Sequence, residues 1–322
     1  MSREDMWREK HHGLPIRASR PARATGVLLT LAIVSCEESC SPSESPYEAT
    51  GAARIFEGAE FGALPGFTRS VYKRDHALVA PESRVYAPLG GWFNASAAYV
   101  VTPSMGSHFS MALVTMQPGS LAGPPAVGVE RFVFVLSGGL LAWHASGEEG
   151  TRKVDLKAGG FVYFPAYQPP YQSGMKAAGC GAASLIVFER TYIDATGSAG
   201  RPYFLSGATD ALPPILSPGE VFELRKLLPS TPEFDFNVHV MDFHPGQYLN
   251  VKEMHYNQHG MMLLQGCGIQ RLGDSWYTVK AGDVIWMAPF VPQWYAALGE
   301  TRTRYILYKD TARDPLLVLP QS

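Results

Sequence analysis

Gly246-Gln-Tyr-Leu-Asn-Val-Lys-Glu253-Met-His255-Tyr-Asn-Gln-His259, followed by Pro289-Phe-Val-Pro-Gln293, decides how this chain is read. Glu253 and His255 are two apart, so on a strand both side chains point to one face. His259 lies beyond the polar Tyr256-Asn257-Gln258 segment, where a neighbouring strand is expected to begin. Gly266 and Gly268 mark the turn that closes that strand. Lys280-Ala281-Gly282-Asp283 then turns the chain into Val284-Ile285-Trp286-Met287-Ala288, and Gln293 follows as a fourth polar donor. Two imidazoles, a carboxylate and an amide oxygen form a hard-to-borderline set without thiolate. Such a set suits Mn(II), Fe(II), Ni(II) or Zn(II) with open positions, and excludes an iron–sulfur cluster or a tetrathiolate zinc. The plainer alternative is a strand whose inward polar residues are satisfied by hydrogen bonds. Four donors in one repeating pattern favour the metal.

The pattern recurs weakly about 125 residues earlier. Met111-Ala-Leu-Val-Thr-Met-Gln-Pro-Gly119 resembles Val238-His-Val-Met-Asp-Phe-His-Pro-Gly246, and Glu130-Arg-Phe-Val-Phe-Val-Leu-Ser-Gly138 resembles His259-Gly-Met-Met-Leu-Leu-Gln-Gly266. Lys157-Ala-Gly159 and Leu185-Ile-Val-Phe-Glu189 likewise match Lys280-Ala-Gly282 and Tyr305-Ile-Leu-Tyr-Lys309. Short segments rich in Val, Ile, Phe and Tyr, punctuated by Gly and Pro, signal an all-β chain of jelly-roll barrels. The glycine and ligand spacing is similar to the two cupin motifs, so the expected fold is a bicupin, two barrels in tandem. The usual cupin set is three His and one Glu. Here Glu253 takes the first His position, His259 the Glu position and Gln293 the last His position. The first copy lacks the chemistry: between Gly119 and Glu130 there is no His and no carboxylate, and Pro169 falls where Gln293 falls in the second. Glu130 alone cannot hold a metal, so the first barrel is expected to be structural.

The 322 residues, with net charge −2 and pI about 6.5, offer no basic surplus for nucleic acid. The expected division is residues 1–50 as targeting segment and linker, 51–200 as the first barrel, and 201–322 as the second. Arg3, Arg8, Lys10, Arg17, Arg20 and Arg23 precede the apolar run Gly26–Cys36, which is too short for a membrane helix but suits a signal peptide. The basic lead-in is long for a signal peptide, which leaves a transit peptide or an uncleaved anchor as alternatives, but entry into the secretory pathway, with no stable membrane span, is the expectation. Of Cys36, Cys40, Cys180 and Cys267, none has metal-site spacing, and Cys267 reads as a small turn residue.

Longer blocks narrow the family. Leu64–Leu78, Pro218–Pro229, Asn250–Gly260 and Ala281–Gly299 resemble plant-type (S)-ureidoglycine aminohydrolases, a likeness running from about residue 60 to the C-terminus. The resemblance implies a Mn(II)-dependent bicupin of purine catabolism that releases ammonia from (S)-ureidoglycine and gives (S)-ureidoglycolate. It implies an endoplasmic reticulum location, Mn(II) at Glu253, His255, His259 and Gln293, and substrate contacts by Glu253, His259, Gln293, Tyr305 and Lys309. Tyr305 and Lys309 are then the catalytic candidates. Their spacing on one strand supports a shared inward face, where a buried Lys needs an anion. The alternative for Lys309 is an ion pair at the rim with Asp310. Gln270 stands where the family leads one to expect Tyr, and Gln265 where it leads one to expect Glu. The expected partner is a small-molecule substrate, and the expected assembly a homo-oligomer. Two other classes remain open from the residues: a cupin oxidoreductase of the oxalate-degrading or dioxygenase type, and a non-enzymatic storage-type bicupin.

Overall fold

The structure is a computed structural model that describes residues 68–146, 150–166, 173–194, 200–216 and 219–311. The apolar run Gly26–Cys36, Cys40 and Pro169 lie outside the described residues. No helix among the described residues is long and apolar enough to cross a membrane. The chain is all-β. An arm carries β1 (Val71–Tyr72) and β2 (His76–Val79). The first repeat follows with β3 (Ala87–Pro88), β4 (Trp92–Val101), β5 (Ser110–Ala122), β6 (Val129–Ser137), β7 (Gly139–Ser146), β8 (Gly150–Lys157), β9 (Gly160–Phe164), β10 (Ser173–Ala178), β11 (Ala183–Thr191) and β12 (Leu205–Ala208). The second holds β13 (Glu223–Lys226), β14 (Phe236–Phe243), β15 (His259–Gln265), β16 (Cys267–Leu272), β17 (Ser275–Lys280), β18 (Val284–Met287), β19 (Gln293–Leu298) and β20 (Thr303–Asp310).

In the second repeat a seven-stranded sheet, ordered β1-β2-β18-β15-β20-β14-β13, faces the three-stranded sheet β17-β16-β19. Met241, Phe243, Met261, Leu263, Ile285, Tyr295 and Leu307 fill the space between them. The first repeat builds one ten-stranded sheet around its own core, which includes Val133, Val135, Leu185 and Val187. A third apolar layer joins the two. Phe132, Phe134 and Phe188 of the first repeat meet Val238, Val240, Trp286, Ile306 and Tyr308 of the second. Period-two alternation explains how one strand serves two layers. On β20, Tyr305 and Leu307 face the second barrel's interior, while Ile306 and Tyr308 face the first barrel. Both faces are covered, so β20 reads as a nearly continuous apolar run. Each large side chain buried there contributes roughly 1.5–3 kcal/mol.

Strand membership crosses the expected boundaries at both ends. β2, from the arm, pairs with β18 in the second repeat, while β12, from beyond residue 200, pairs with β9 in the first. The arm is tied by charge as well. Arg69 grips the fully buried Asp283 with two hydrogen bonds, 2.9 and 2.6 Å, and His76 Nε2 lies 2.8 Å from the Tyr277 hydroxyl. Asp283 also accepts from the Lys280 backbone N–H at 2.9 Å, which closes the turn expected there.

Gly266 (φ +79°) makes the turn between β15 and β16, where a Cβ would sit 2.7 Å from Thr303 Oγ1. Gly268, expected in that turn, instead lies inside β16. A Cβ on it would come within 2.5 Å of the Tyr295 ring, so the absent side chain makes room for the phenol. Cys267 opens β16 with its thiol against the Leu298 carbonyl at 3.5 Å, in keeping with a small residue at a turn.

Glu130 corrects the repeat alignment. It is fully buried between the barrels, outside the first barrel's cavity. It accepts a hydrogen bond from the Tyr163 hydroxyl at 2.5 Å and lies 3.6 Å from Arg190 Nε. Burial, then a hydrogen bond with Asp235, holds its carboxyl well above the usual carboxylate range. The residue at the His259 position is Arg131. Arg131 pairs with Phe164 on β9 and Glu189 on β11, as His259 pairs with Met287 on β18 and Lys309 on β20.

Candidate metal centre and active-site cavity

Glu253 and His255 do not lie on a strand, as their spacing suggests. They lie on an irregular extended segment with a single bridge, in which Glu253 and Gln293 exchange backbone hydrogen bonds of 2.9 Å each way. That bridge brings the first and fourth proposed ligands side by side. Phe290, at φ +61°, turns the chain between β18 and β19 and donates its N–H to the His255 carbonyl at 2.8 Å. His259 opens β15, where its strand was expected to start. Gln258 N donates to Asp310 Oδ1 at 2.7 Å, and Asn257 donates to the Asp310 carbonyl. Asp310 thus faces away from Lys309 and pins the segment between His255 and His259. The first barrel adds a brace: the His108 N–H donates to Gln258 Oε1 at 3.1 Å.

The four side chains converge. His255 Nε2 lies 3.1 Å from Gln293 Nε2 and 3.8 Å from Glu253 Oε2, and the His255 and His259 rings are 4.8 Å apart. Among the described residues, no group of three or more His, Cys, Asp or Glu is close enough to hold a metal by itself. Glu253, His255 and His259 therefore lie near one another without forming a closed three-ligand cluster, and Gln293, against His255, is needed to complete the set. His259 Nε2 and His255 Nδ1 are buried without a hydrogen-bond partner. Burial pushes the His259 imidazole well below its ordinary pKa, with His255, Lys309 and His239 adding to the effect. A neutral ring with an unclaimed nitrogen, beside a carboxylate and an amide, fits a hard-to-borderline divalent cation.

A cavity of about 220 Å³ opens beside these groups. Glu253, His259, Gln293, Tyr305 and Lys309 line it, so most of the residues singled out in the sequence come together. Lys309 has no carboxylate within ion-pairing distance among the described residues, so the rim pair with Asp310 is not formed. Burial lowers the Lys309 pKa against the pull of Glu253. Burial raises the Tyr305 phenol well above its ordinary value, helped by Glu253, Tyr295 and Glu220. Gln270 lines the cavity, whereas Gln265 ends β15 exposed. Sequence reasoning missed several residues of the lining, among them His239 and Glu220. The alternation Val238-His-Val-Met-Asp-Phe243 carried the signal for His239, which shares the inward face of Met241 and Phe243. Burial, then Lys309 and Lys226, pushes its pKa down to about 3.

No family model matches the chain. A probable (S)-ureidoglycine aminohydrolase of Oryza sativa subsp. japonica is 55% identical over 79% of this chain and 79% of that one. The (S)-ureidoglycine aminohydrolase of Arabidopsis thaliana is 54% identical over 79% and 81%. The chain belongs to the (S)-ureidoglycine aminohydrolase family. The family reaches bacteria: the (S)-ureidoglycine aminohydrolase of Escherichia coli K12 is 31% identical over 76% of this chain and 92% of that one. Among solved structures, protein Ylba from E. coli superposes with a TM-score of 0.65, 29% identity, and coverage of 77% and 96%. An oxalate decarboxylase of Bacillus subtilis matches with a TM-score of 0.55 and 12% identity over 73% and 77% of the two chains. That last likeness shows the bicupin fold alone, so the oxidoreductase alternative keeps the architecture and loses the family.

Proposed function

We propose that this chain releases ammonia from (S)-ureidoglycine and forms (S)-ureidoglycolate, with Mn(II) held by Glu253, His255, His259 and Gln293. The observation that carries this reading is the cavity in which a family member sets Glu253, His259 and Gln293 beside Tyr305 and a Lys309 that has no carboxylate partner among the described residues, while His255 lies 3.1 Å from Gln293. A bound divalent cation supplies Lewis acidity and a template for the substrate's amine and carboxylate, without redox change. Lys309 meets the substrate carboxylate, the anion that its own buried charge lacks. Burial also brings its ammonium nearer the working pH, so it suits proton delivery to the departing nitrogen. The carbon–nitrogen bond then breaks, water adds its oxygen to the carbon, and a proton of that water returns to Lys309. Tyr305 stays protonated and donates a hydrogen bond. Phe222, Leu224, Met241 and Leu307 keep bulk water from the walls.

The test generates ureidoglycine from allantoate with a separate enzyme, adds this protein, and reads ammonia and the chirality of the product. Racemic ureidoglycolate at the uncatalysed rate would remove the assignment. Elemental analysis for Mn, expected at one ion per chain, tests the metal separately. A place in purine breakdown and homo-oligomeric assembly belong to the same reading; light scattering reads the second. The apolar run Gly26–Cys36 supports an endoplasmic reticulum location, which a fluorescent fusion of residues 1–50 tests by import.

A further inference from the structure

The proposed ligands and Lys309 account for the metal and for the carboxylate of a substrate, and leave two acceptors in the same cavity unused. Gln270 Oε1 and Glu220 Oε2 are both buried and lack a hydrogen-bond partner. Gln270 is only 2% exposed, so bulk water does not serve it. It sits in the middle of β16, flanked by Tyr277 on β17 and Tyr295 on β19, and its Nε2 turns to the Arg271 carbonyl at 3.4 Å. Glu220 lies on the segment leading into β13, two residues before Phe222, whose ring stacks on Phe243 at 5.0 Å and anchors that segment. Glu220 as a whole is half-buried, and its buried oxygen, Oε2, belongs to a side chain that lines the cavity. An acceptor buried without a donor costs about 1–3 kcal/mol, so two of them in one cavity call for donors from a ligand. Every other charge in the lining is spoken for: Glu253 by the metal set, Lys309 by an anion.

We propose that Gln270 and Glu220 read the nitrogen end of the substrate, Gln270 accepting from ureido N–H groups and Glu220 from the amino group that leaves. The assignment rests on the reaction proposed above and gives that site its selectivity. Lys309 holds the carboxylate within reach of the amine on the same carbon, and the two acceptors take the remaining N–H donors of the amine and the ureido group. The product carries a hydroxyl where the substrate carried the amine. It offers Glu220 a single O–H and no prospect of positive charge, so Glu220 favours substrate over product. Gln270, where the family leads one to expect Tyr, keeps an acceptor at that position on a shorter, more flexible side chain.

The test uses the metal-loaded, full-length protein with two variants, Gln270→Met and Glu220→Leu, each of similar size and without the acceptor. The stable probe is N-carbamoylglycine, which has the ureido group and the carboxylate but no amino group, titrated by calorimetry. Melting temperature and metal content are read first, and Gln270→Leu and Glu220→Met replace any variant that unfolds. Gln270→Met is expected to weaken the probe about tenfold and to raise KM for ureidoglycine by a similar factor. Glu220→Leu is expected to leave probe affinity within about twofold while raising KM about tenfold. Equal loss of the probe in both variants would mean that they only shape the cavity, and would overturn the proposal. So would wild-type KM in either variant. A wild-type protein that binds the probe through Gln270 but releases no ammonia from ureidoglycine would sink the reaction assignment and leave the ureido contact standing.

Discussion

In the first barrel Arg131 and Glu189 face each other across β6 and β11 with an Nε to Oε1 distance of 2.6 Å; in the second, the same register sets His259 beside Lys309. Arg131 is spent: it also donates to the Gly123 carbonyl at 2.8 Å and lies over the Trp92 ring at 5.1 Å. The first cavity, about 350 Å³, is the larger of the two, yet its cation and anion neutralise each other. In the second, a neutral imidazole stands next to an ammonium that has no carboxylate partner among the described residues, an arrangement that suits the metal and anion proposed above. Two substitutions at matched register positions separate a self-paired barrel from one with these groups left unpaired.

The widest gap between the barrels should appear in His259→Ala. It is expected to lose most bound metal and to lower ammonia release roughly a hundredfold or more, since even outer-shell changes cost 10–100-fold. Arg131→Ala should leave the metal content unchanged; an ion lost with Arg131, or retained without His259, would erase the asymmetry. Lys309→Met comes next. The fold and metal should survive, while kcat/KM drops roughly 10–150-fold, the equivalent of a charge-assisted hydrogen bond of about 1.5–3 kcal/mol. Unchanged kinetics would return Lys309 to a role in packing.

Arg131→Met sharpens the comparison from the other side. It leaves the Glu189 carboxylate without its partner and is expected to lower stability by about 1–3 kcal/mol, with activity per folded molecule unchanged. Arg131→Met with Glu189→Leu should recover most of that loss in a denaturant melt. A double variant as unstable as the single one would show that Trp92 and Gly123, not the ion pair, hold the site.

The smallest effect is on acid stability. His239 is protonated less readily folded than unfolded, because its pKa is pushed down to about 3. Its contribution is therefore fully present above the ordinary histidine value of about 6.5 and is lost as pH falls from there towards 3. The slope it adds is at most about 1.4 kcal/mol per pH unit, less because His239 is only partly shielded. Denaturant melts between neutral pH and about pH 4 should show a shallower decline for His239→Leu; parallel curves would place the acid sensitivity elsewhere.

The repeat, the all-β class and the start of β15 at His259 were legible because Gly, Pro and period-two alternation report local geometry. The facing of Glu130 was not. Gly138 and Gly266 are the matching turn residues, and seven positions before them stand Arg131 and His259. Aligning the blocks by their first residues slips the register by one, and in a strand one residue is the other face. Each repeat also carries a register shift beside this strand, between Ser184 and Leu185 and between Leu263 and Gln265, which composition does not reveal. The grouping of Glu253, His259, Gln293, Tyr305 and Lys309 around one cavity was largely readable, since these are rare residue types at fixed spacing. Glu220 was hidden because nothing local shows that a connecting segment folds across a barrel built from strands that follow it. The strand form expected at Glu253 and His255 failed for a related reason: their geometry comes from Gln293, on a distant part of the chain.

The arm sets a clock on synthesis. Arg69 and Asp283 are 214 residues apart, and β2 has no sheet to join until β18 has left the ribosome. At typical elongation rates that interval is roughly 10–40 s, far longer than hairpin closure. During it, Ala77, Leu78 and Val79 remain without their eventual neighbours, and the face of the first repeat's sheet that carries Phe132, Phe134 and Phe188 waits for Ile306 and Tyr308 to cover it. The first half of the chain is thus committed to a long vectorial wait, and its native state is a property of the finished polypeptide.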